Sequence, residues 1–285
     1  MKMFDTLKQK LTENALNIDS ALSDYFDEKL AESITLCEAQ RYGLLGGGKK
    51  IRAFLVIELC RILNGNVEDA IPYACAIEMI HASSLIHDDM PCMDNDDIRR
   101  GKPSTHKAYG ETAALLAGDS LIIKAFGAIA QNSKLPSNIN LSAISVLASS
   151  SGDFGMLAGQ GIDTLSKTKL ENLQQLIKLH KLKTGKLISA SAQLGCLAAR
   201  IDENDERYNI VVKYAENLGL AFQIVDDLLD YKDGKIEENS FLSFMEYDDA
   251  TRYATNLTNE AINIIKPIDN GTLEELARYL TVREY

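Results

Sequence analysis

The chain has no tryptophan and only five prolines in 285 residues. With so few prolines there are few forced breaks, and long helices are permitted. Its five cysteines, Cys37, Cys60, Cys75, Cys92 and Cys196, show no C-x-x-C or other zinc-like spacing. An odd, scattered set reads as reduced thiols in a reducing compartment. The four histidines, at 81, 87, 106 and 180, are too dispersed for a zinc site. No apolar stretch of the signal-peptide kind follows Met1, and no uninterrupted apolar run reaches membrane-spanning length. No G-x-x-x-x-G-K-[ST] phosphate loop is present, and no period-two run of β-branched residues is long enough for a strand. These absences predict a cytoplasmic protein without stable membrane anchoring. Lys plus Arg is 30 and Asp plus Glu is 41, a net charge of −11. That excess argues against a nucleic-acid partner. It also means that any anionic ligand must be held by local cations.

Hydrophobic residues make up 46% and charged residues 25%, a globular composition. Apolar residues recur at three- and four-residue spacing in Ile51–Leu63, Ile71–Ile86, Thr112–Ala130, Leu141–Leu157, Leu170–Ala199, Tyr208–Leu229 and Tyr247–Ile265. Breaks fall at Gly46-Gly47-Gly48, Asn64-Gly65-Asn66, Gly101-Lys102-Pro103, Leu135-Pro136-Ser137, Asp202-Glu203-Asn204 and Asp233-Gly234. Asp202 is expected to cap the helix after it. No linker divides the chain. The expectation is one all-α domain over 1–285, a bundle of roughly ten or more helices.

Two aspartate clusters stand out. One reads His87-Asp88-Asp89-Met90-Pro91-Cys92-Met93-Asp94; the other reads Phe222-Gln223-Ile224-Val225-Asp226-Asp227-Leu228-Leu229-Asp230. Each follows a long apolar helical run. Asp226 and Asp230, four apart, share a helix face, with Asp227 beside them. Asp88 and Asp94 are six apart and would not share one, but Pro91 disfavours a straight helix and a bulge there would fold Asp94 back beside Asp88. A single acidic trio more often decorates a solvated helix end. Two trios, each closing a core-like helix, favour a site for hard divalent cations, because carboxylates that lose hydration need counter-charge. Mg²⁺ takes few protein carboxylates and completes its shell with water and substrate phosphates.

Cations lie close by in sequence. Arg99-Arg100-Gly101 follows the first cluster, Lys49-Lys50-Ile51-Arg52 follows the triple glycine, and Lys183-Thr184-Gly185 is expected in mid-helix. Arginine's planar fork suits phosphate. Lys49-Lys50 alone would read as surface solubility, and the glycines alone as a helix stop. His81, two turns before Asp88, would alone read as a satisfied core histidine. Gly155 to Gln160 is expected inside a helix, its small residues serving close packing.

Taken together, Gly47 to Arg52, His81 to Gly101, Gly155 to Asp163, Lys183-Thr184-Gly185 and Gly219 to Asp230 resemble the bacterial short-chain trans-isoprenyl diphosphate synthases of the farnesyl and geranylgeranyl type. The resemblance runs from about Arg41 to Asp230. DDxxxxD followed by RRG, with a distant FQxxDDxxD, is a specific combination. It implies the isoprenoid synthase fold, a helical bundle around a central active-site cavity, and a homodimer. It implies condensation of isopentenyl diphosphate with an allylic diphosphate, with three Mg²⁺ between the aspartate motifs and the allylic diphosphate. Asp88, Asp94 and Asp226 would be the main metal ligands, with Asp89, Asp227 and Asp230 supporting. Arg99 and Lys183 would bind the allylic diphosphate. Lys49, Arg52, His81 and Arg100 would bind isopentenyl diphosphate, and Thr184 and Gln223 would line the reacting carbons. Ser83 and Ser84, before Asp88, fall where chain length is gauged. One departure is Glu238, which aligns where the family carries a diphosphate-binding lysine; Lys232 or Lys235 would then substitute. A terpene cyclase would replace the second cluster with an Asn/Ser/Glu motif, and a non-catalytic partner subunit would lose one or both clusters.

Overall fold

The computed structural model describes residues 4–26, 32–165, 170–231, 236 and 239–282. Among them are thirteen α-helices: α1 (Asp5–Ser23), α2 (Ile34–Leu44), α3 (Ile51–Ile62), α4 (Val67–Asp88), α5 (Thr105–Tyr109), α6 (Glu111–Ala130), α7 (Ser137–Ser151), α8 (Met156–Leu165), α9 (Leu173–His180), α10 (Lys186–Ala198), α11 (Glu206–Asp230), α12 (Tyr247–Ile265) and α13 (Thr272–Thr281). A π-helical turn, Lys181–Gly185, joins α9 to α10, and a short 3-10 turn, Phe241–Ser243, precedes α12. The only extended elements among the described residues are β1 (Ile98–Arg99) and β2 (Lys102–Pro103), an antiparallel pair. This is the expected all-α bundle.

The boundaries differ from the expected ones in three places. The apolar run Leu141–Leu157 is two helices, α7 and α8, broken across Gly152–Gly155, so Gly155 lies just before α8. The run Leu170–Ala199 is interrupted by the π-helical turn, which puts Lys183 and Thr184 on a widened turn. Asp202 does not cap α11. It accepts the Asn204 amide at 3.0 Å within a turn, and Asp205 is the cap, accepting the Arg207 amide at 2.9 Å. Both aspartates stand before the same helical pattern, and periodicity does not choose between them.

Helix α4 is the central post. It is apolar on nearly every side, as suits a helix surrounded by others, and it packs against α2, α3, α6 and α10. Asn66 caps its start by accepting the Glu68 amide at 3.2 Å. Pro72 lies inside it and has no N–H for the Glu68 carbonyl. That carbonyl accepts the Lys134 ammonium at 3.2 Å instead, and Asn132 donates to the next carbonyl, Asp69, at 3.0 Å. The helix therefore continues past its proline to Asp88.

A second cluster of buried side chains joins α3, α10, α11 and α13, and a third joins α11 to α12. Helix α11 crosses both and ends at Asp230. All five cysteines are free, four of them buried and Cys92 exposed. Two stretches, Glu111–Ala130 and Ser137–Leu165, have the length and mean hydropathy of a membrane span. The first carries Asp119 and Lys124, and the second is interrupted between α7 and α8.

Candidate active site

Both aspartate clusters occupy helix C-termini, α4 ending at Asp88 and α11 at Asp230. That is the negative end of the helix dipole, the less favourable place for a carboxylate. After Asp88 the chain turns through Met90 and Pro91, and the Asp94 amide donates back to the Asp88 carbonyl at 2.9 Å. This is the bulge expected from Pro91, and it sets Asp94 beside Asp88. Burial pushes the Asp88 carboxyl up to about 6; Asp94 adds to the rise, while Lys183 and Arg99 oppose it. Asp94 is also raised, by burial first and then by Asp96 and Asp163.

The other aspartates have different attachments. Asp89 is buried, and Oδ1 accepts Arg99 Nε at 2.9 Å as well as a second guanidinium nitrogen. Asp227 accepts the Gln223 amide at 3.1 Å through Oδ1 and the Phe241 backbone N–H at 2.7 Å through Oδ2. Burial raises its carboxyl, against those bonds and one from the Ser240 hydroxyl. Asp226 lies near enough to Arg52 to help hold the guanidinium charged. Asp230 is exposed at the helix end.

The β1–β2 hairpin explains the Arg-Arg-Gly sequence. Arg99 pairs with Lys102 across the ladder, and Arg100 and Gly101 form the two-residue turn with φ of 55° and 75°, the type I′ pattern. The turn separates the two arginines. Arg99 reaches back to Asp89, while Arg100 lies against the glycine run, where a Cβ on Gly47 would be only 2.8 Å from a guanidinium nitrogen. The triple glycine thus ends α2 and also makes room for a cation.

Arg52, Arg100 and Lys50 form one positive group around His81. Burial and the charges of Arg52, Arg100, Lys50 and Arg99 hold His81 well below the ordinary histidine range, so it is neutral. Lys50 is buried, donating to the Leu44 carbonyl at 2.7 Å and facing Asp19 at 3.4 Å. Lys49 is not drawn into the group; it is exposed, with Nζ 5.1 Å from the centre of the Tyr279 ring.

A cavity of about 370 Å³ lies at the end of α4, bordered by Asp88 of the first aspartate cluster and by no residue of the second. Asp88, Arg52, His81, Lys183 and Thr184 line it, together with Ile80, Ser83, Ser84, Ile122, Met156 and Leu187. Ser83 and Ser84 donate to the carbonyls of Ile80 and His81, at 2.8 and 2.9 Å. Their hydroxyls are satisfied on their own helix, and a small side chain faces the space. A larger cavity of about 750 Å³ lies between α1 and α3, but no aspartate-motif residue borders it.

Lys183 and Thr184 are placed by the π-helical turn. Lys183 Nζ bonds Asp163 at 2.5 Å, and the Thr184 hydroxyl donates to Gln223 Oε1 at 3.0 Å. Gly159 of α8 packs onto this turn so closely that a Cβ there would lie 2.3 Å from the Lys183 backbone nitrogen. Asn239 ties the segment before α12 to the same place, donating to Asp163 at 2.8 Å, while its carbonyl lies 3.2 Å from His180 Nε2. Lys232, Lys235 and Glu238 lie outside the described residues.

Sequence reasoning gave no role to Asp163, Asn239 or Glu78. Glu78 is buried on α4, accepts the Ala53 amide at 3.0 Å and supplies counter-charge to Arg52 and Arg100. Its signal was a glutamate inside an apolar helix, three residues before His81. Among the described residues, no three His, Cys, Asp or Glu side chains form a ready metal cage. The paired, partly desolvated Asp88 and Asp94 nevertheless suit a hard cation that takes few carboxylates and completes its shell with phosphate oxygens.

The polyprenyl synthetase family model matches residues 34–266. A farnesyl diphosphate synthase of Geobacillus stearothermophilus is 43% identical over 227 residues, covering 79% of this chain and 75% of that protein. A geranylgeranyl diphosphate synthase of Cyanophora paradoxa is 41% identical over 251 residues, covering 83% of each. The apo crystal structure of an FPP/GFPP synthase from Zymomonas mobilis superposes with a TM-score of 0.90 at 37% identity, covering 97% of this chain and 99% of that one. The chain belongs to the polyprenyl synthetase family.

Proposed function

We propose that the chain is a trans-prenyl diphosphate synthase that condenses isopentenyl diphosphate with dimethylallyl or geranyl diphosphate. The observation that carries this reading is the ending of α4 at Asp88, with Asp94 folded back beside it, at an apolar-walled cavity that Lys183, Arg52 and His81 also border. In this reading Asp88, Asp94 and Asp226 hold Mg²⁺, supported by Asp89, Asp227 and Asp230. When bound, the metal supplies positive charge to the departing diphosphate. Arg99 and Lys183 neutralise the allylic diphosphate, and their present partners, Asp89 and Asp163, keep them in place until it arrives. Arg52, Arg100 and His81 hold isopentenyl diphosphate, joined by Lys49 when its exposed side chain leaves the Tyr279 ring. Thr184 and Gln223, bonded to one another, border the reacting carbons. The cavity's apolar walls exclude water that would quench the allylic cation. The departed diphosphate accepts the final proton, so no protein base is required.

The whole chain, 1–285, is read as one domain, supported by the clusters that α3, α10 and α11 share. Leu115, Leu116 and Ile123 of α6 and Leu141 of α7 are exposed, which supports a homodimer. The free thiols support a cytoplasmic location.

The product reading is farnesyl diphosphate made readily and geranylgeranyl diphosphate as a second or major product when isopentenyl diphosphate is in excess. Ser83 and Ser84 support it, because their small side chains leave the cavity open below Asp88. Ser83→Tyr, which fills that space, shifts the mixture towards the C15 product on chromatographic chain-length analysis. A wild type that stops cleanly at C15, with the same profile in the variant, removes Ser83 as the gauge.

A further inference from the structure

The cavity's hydroxyl side chains are all satisfied by protein. Ser83, Ser84 and Ser151 bond carbonyls of their own helices, and Thr184 bonds Gln223. Gln160 of α8 is not, and it is the neutral cavity side chain with both polar atoms unpaired, whereas the charged Arg52 leaves only Nε so. Gln160 is 8% exposed and borders the same cavity as Asp88, Lys183 and Thr184, yet neither Oε1 nor Nε2 has a hydrogen-bond partner among the described residues. Its backbone carbonyl is satisfied, accepting the Thr164 hydroxyl at 2.8 Å. Burying an amide with both ends unpaired is costly, and an apolar side chain would avoid that cost.

The position is also fixed. Gly159, the preceding residue, packs directly onto the Lys183 backbone, with no room for a Cβ. Helix α8 is therefore held against the turn that carries Lys183 and Thr184, and Gln160 leaves the helix next to that contact. An amide is neutral, so it does not compete with the aspartates for cations. It is also a strong dipole with a donor at one end and an acceptor at the other.

We propose that Gln160 is a further catalytic residue, its amide bracketing the allylic C–O bond as that bond breaks. This inference rests on the prenyl-transfer reading above. The bond breaks heterolytically, and both electrons leave with the diphosphate. Positive charge spreads over the allylic carbons until the double bond of isopentenyl diphosphate supplies the electron pair for the new C–C bond. The Nε2–H faces the departing oxygen and Oε1 faces the allylic carbons, so both developing charges meet a dipole already in place.

The test uses Gln160→Met, which keeps length and volume and removes the dipole. Three quantities are read on the purified full chain with Mg²⁺. These are the single-turnover rate with geranyl and isopentenyl diphosphates, the affinity for a non-ionising geranyl thiolodiphosphate, and the affinity for 3-aza-geranyl diphosphate, whose ammonium mimics the cation. The rate is expected to fall by about 10- to 100-fold, as for loss of one preorganised polar group. Affinity for the thiolodiphosphate stays within about twofold, while affinity for the aza analogue weakens by about fivefold or more, since only it resembles the ionised state. A merely structural role would weaken both analogues alike. Equal weakening, or an unchanged rate, overturns the proposal. Failure of the wild type to couple the two diphosphates would instead remove the underlying functional reading.

Discussion

Gly159→Ala tests whether the contact between α8 and the π-helical turn sets the catalytic geometry. A Cβ at 159 would stand 2.3 Å from the Lys183 nitrogen and 2.6 Å from its Cα. Against the 3.0 Å that Cβ atoms keep, the shortfall is 0.7 Å, and against ordinary contact at 3.4 Å it is 1.1 Å. The obstacle is backbone, so α8 and the turn must separate. Overpacking of this kind costs about 1–3 kcal/mol, while replacing a helical glycine by alanine returns about 0.5–1 kcal/mol. The net loss is about 0–2.5 kcal/mol, which leaves the protein folded, so the rate is the discriminating quantity. A displacement near 1 Å of Lys183, Asp163 and Gln160 lowers kcat by roughly 10²-fold. Steady-state kinetics with geranyl and isopentenyl diphosphates read this directly, with calorimetry alongside. Gly127→Ala on α6 is the control, because nothing lies within 4 Å of its Cβ position; it leaves kcat unchanged. A Gly159→Ala enzyme with kcat within about threefold of wild type would refute the argument that this contact positions the reacting groups.

Arg100→Ala removes the guanidinium that rests on Gly47 and Gly48. It should raise KM for isopentenyl diphosphate by about tenfold or more, the scale of a charge-assisted hydrogen bond, and KM for geranyl diphosphate much less; the reverse pattern would mean that the two subsites are exchanged. His180 provides an acid-stability test. Burial lowers its pKa to about 4, against opposing effects of the Asn239 carbonyl and Asp163. The unfolded chain therefore binds this proton more readily, so stability is full above the ordinary histidine value and falls as pH drops towards 4. The contribution lost between pH 7 and pH 5 is about 2 kcal/mol. Denaturant unfolding at the two pH values should show that loss in the wild type and a smaller one in His180→Gln; equal losses would contradict it.

The helices were legible because their apolar spacing follows burial, and both aspartate clusters were legible because acidic residues closing apolar runs are uncommon. Even the return of Asp94 to Asp88 could be anticipated from Pro91. What escaped depended on distant backbone. The break at Gly152–Gly155 and the π-helical turn both lie inside continuous apolar patterns, so periodicity passed through them. Asp163 is 20 residues from Lys183, and Asn239 is 76 from Asp163; side-chain bonds of such separation leave no local trace. The position of Lys49 over Tyr279 likewise depends on how α13 packs beside the glycine run, which the Gly-Gly-Lys-Lys sequence does not reveal.

In the proposed function, prenyl transfer depends on a divalent metal and on both aspartate clusters. Its most direct test is to incubate the purified chain with geranyl diphosphate, labelled isopentenyl diphosphate and Mg²⁺, and to separate the products by chain length. Label is expected in a C15 diphosphate, extending to C20 with excess isopentenyl diphosphate. No labelled product is expected in EDTA, and turnover falls by about 10² or more in Asp88→Ala and in Asp226→Ala, as loss of charge stabilisation at the departing diphosphate requires. Near-normal product in EDTA or in either variant, or release of a hydrocarbon from farnesyl diphosphate alone, would contradict it.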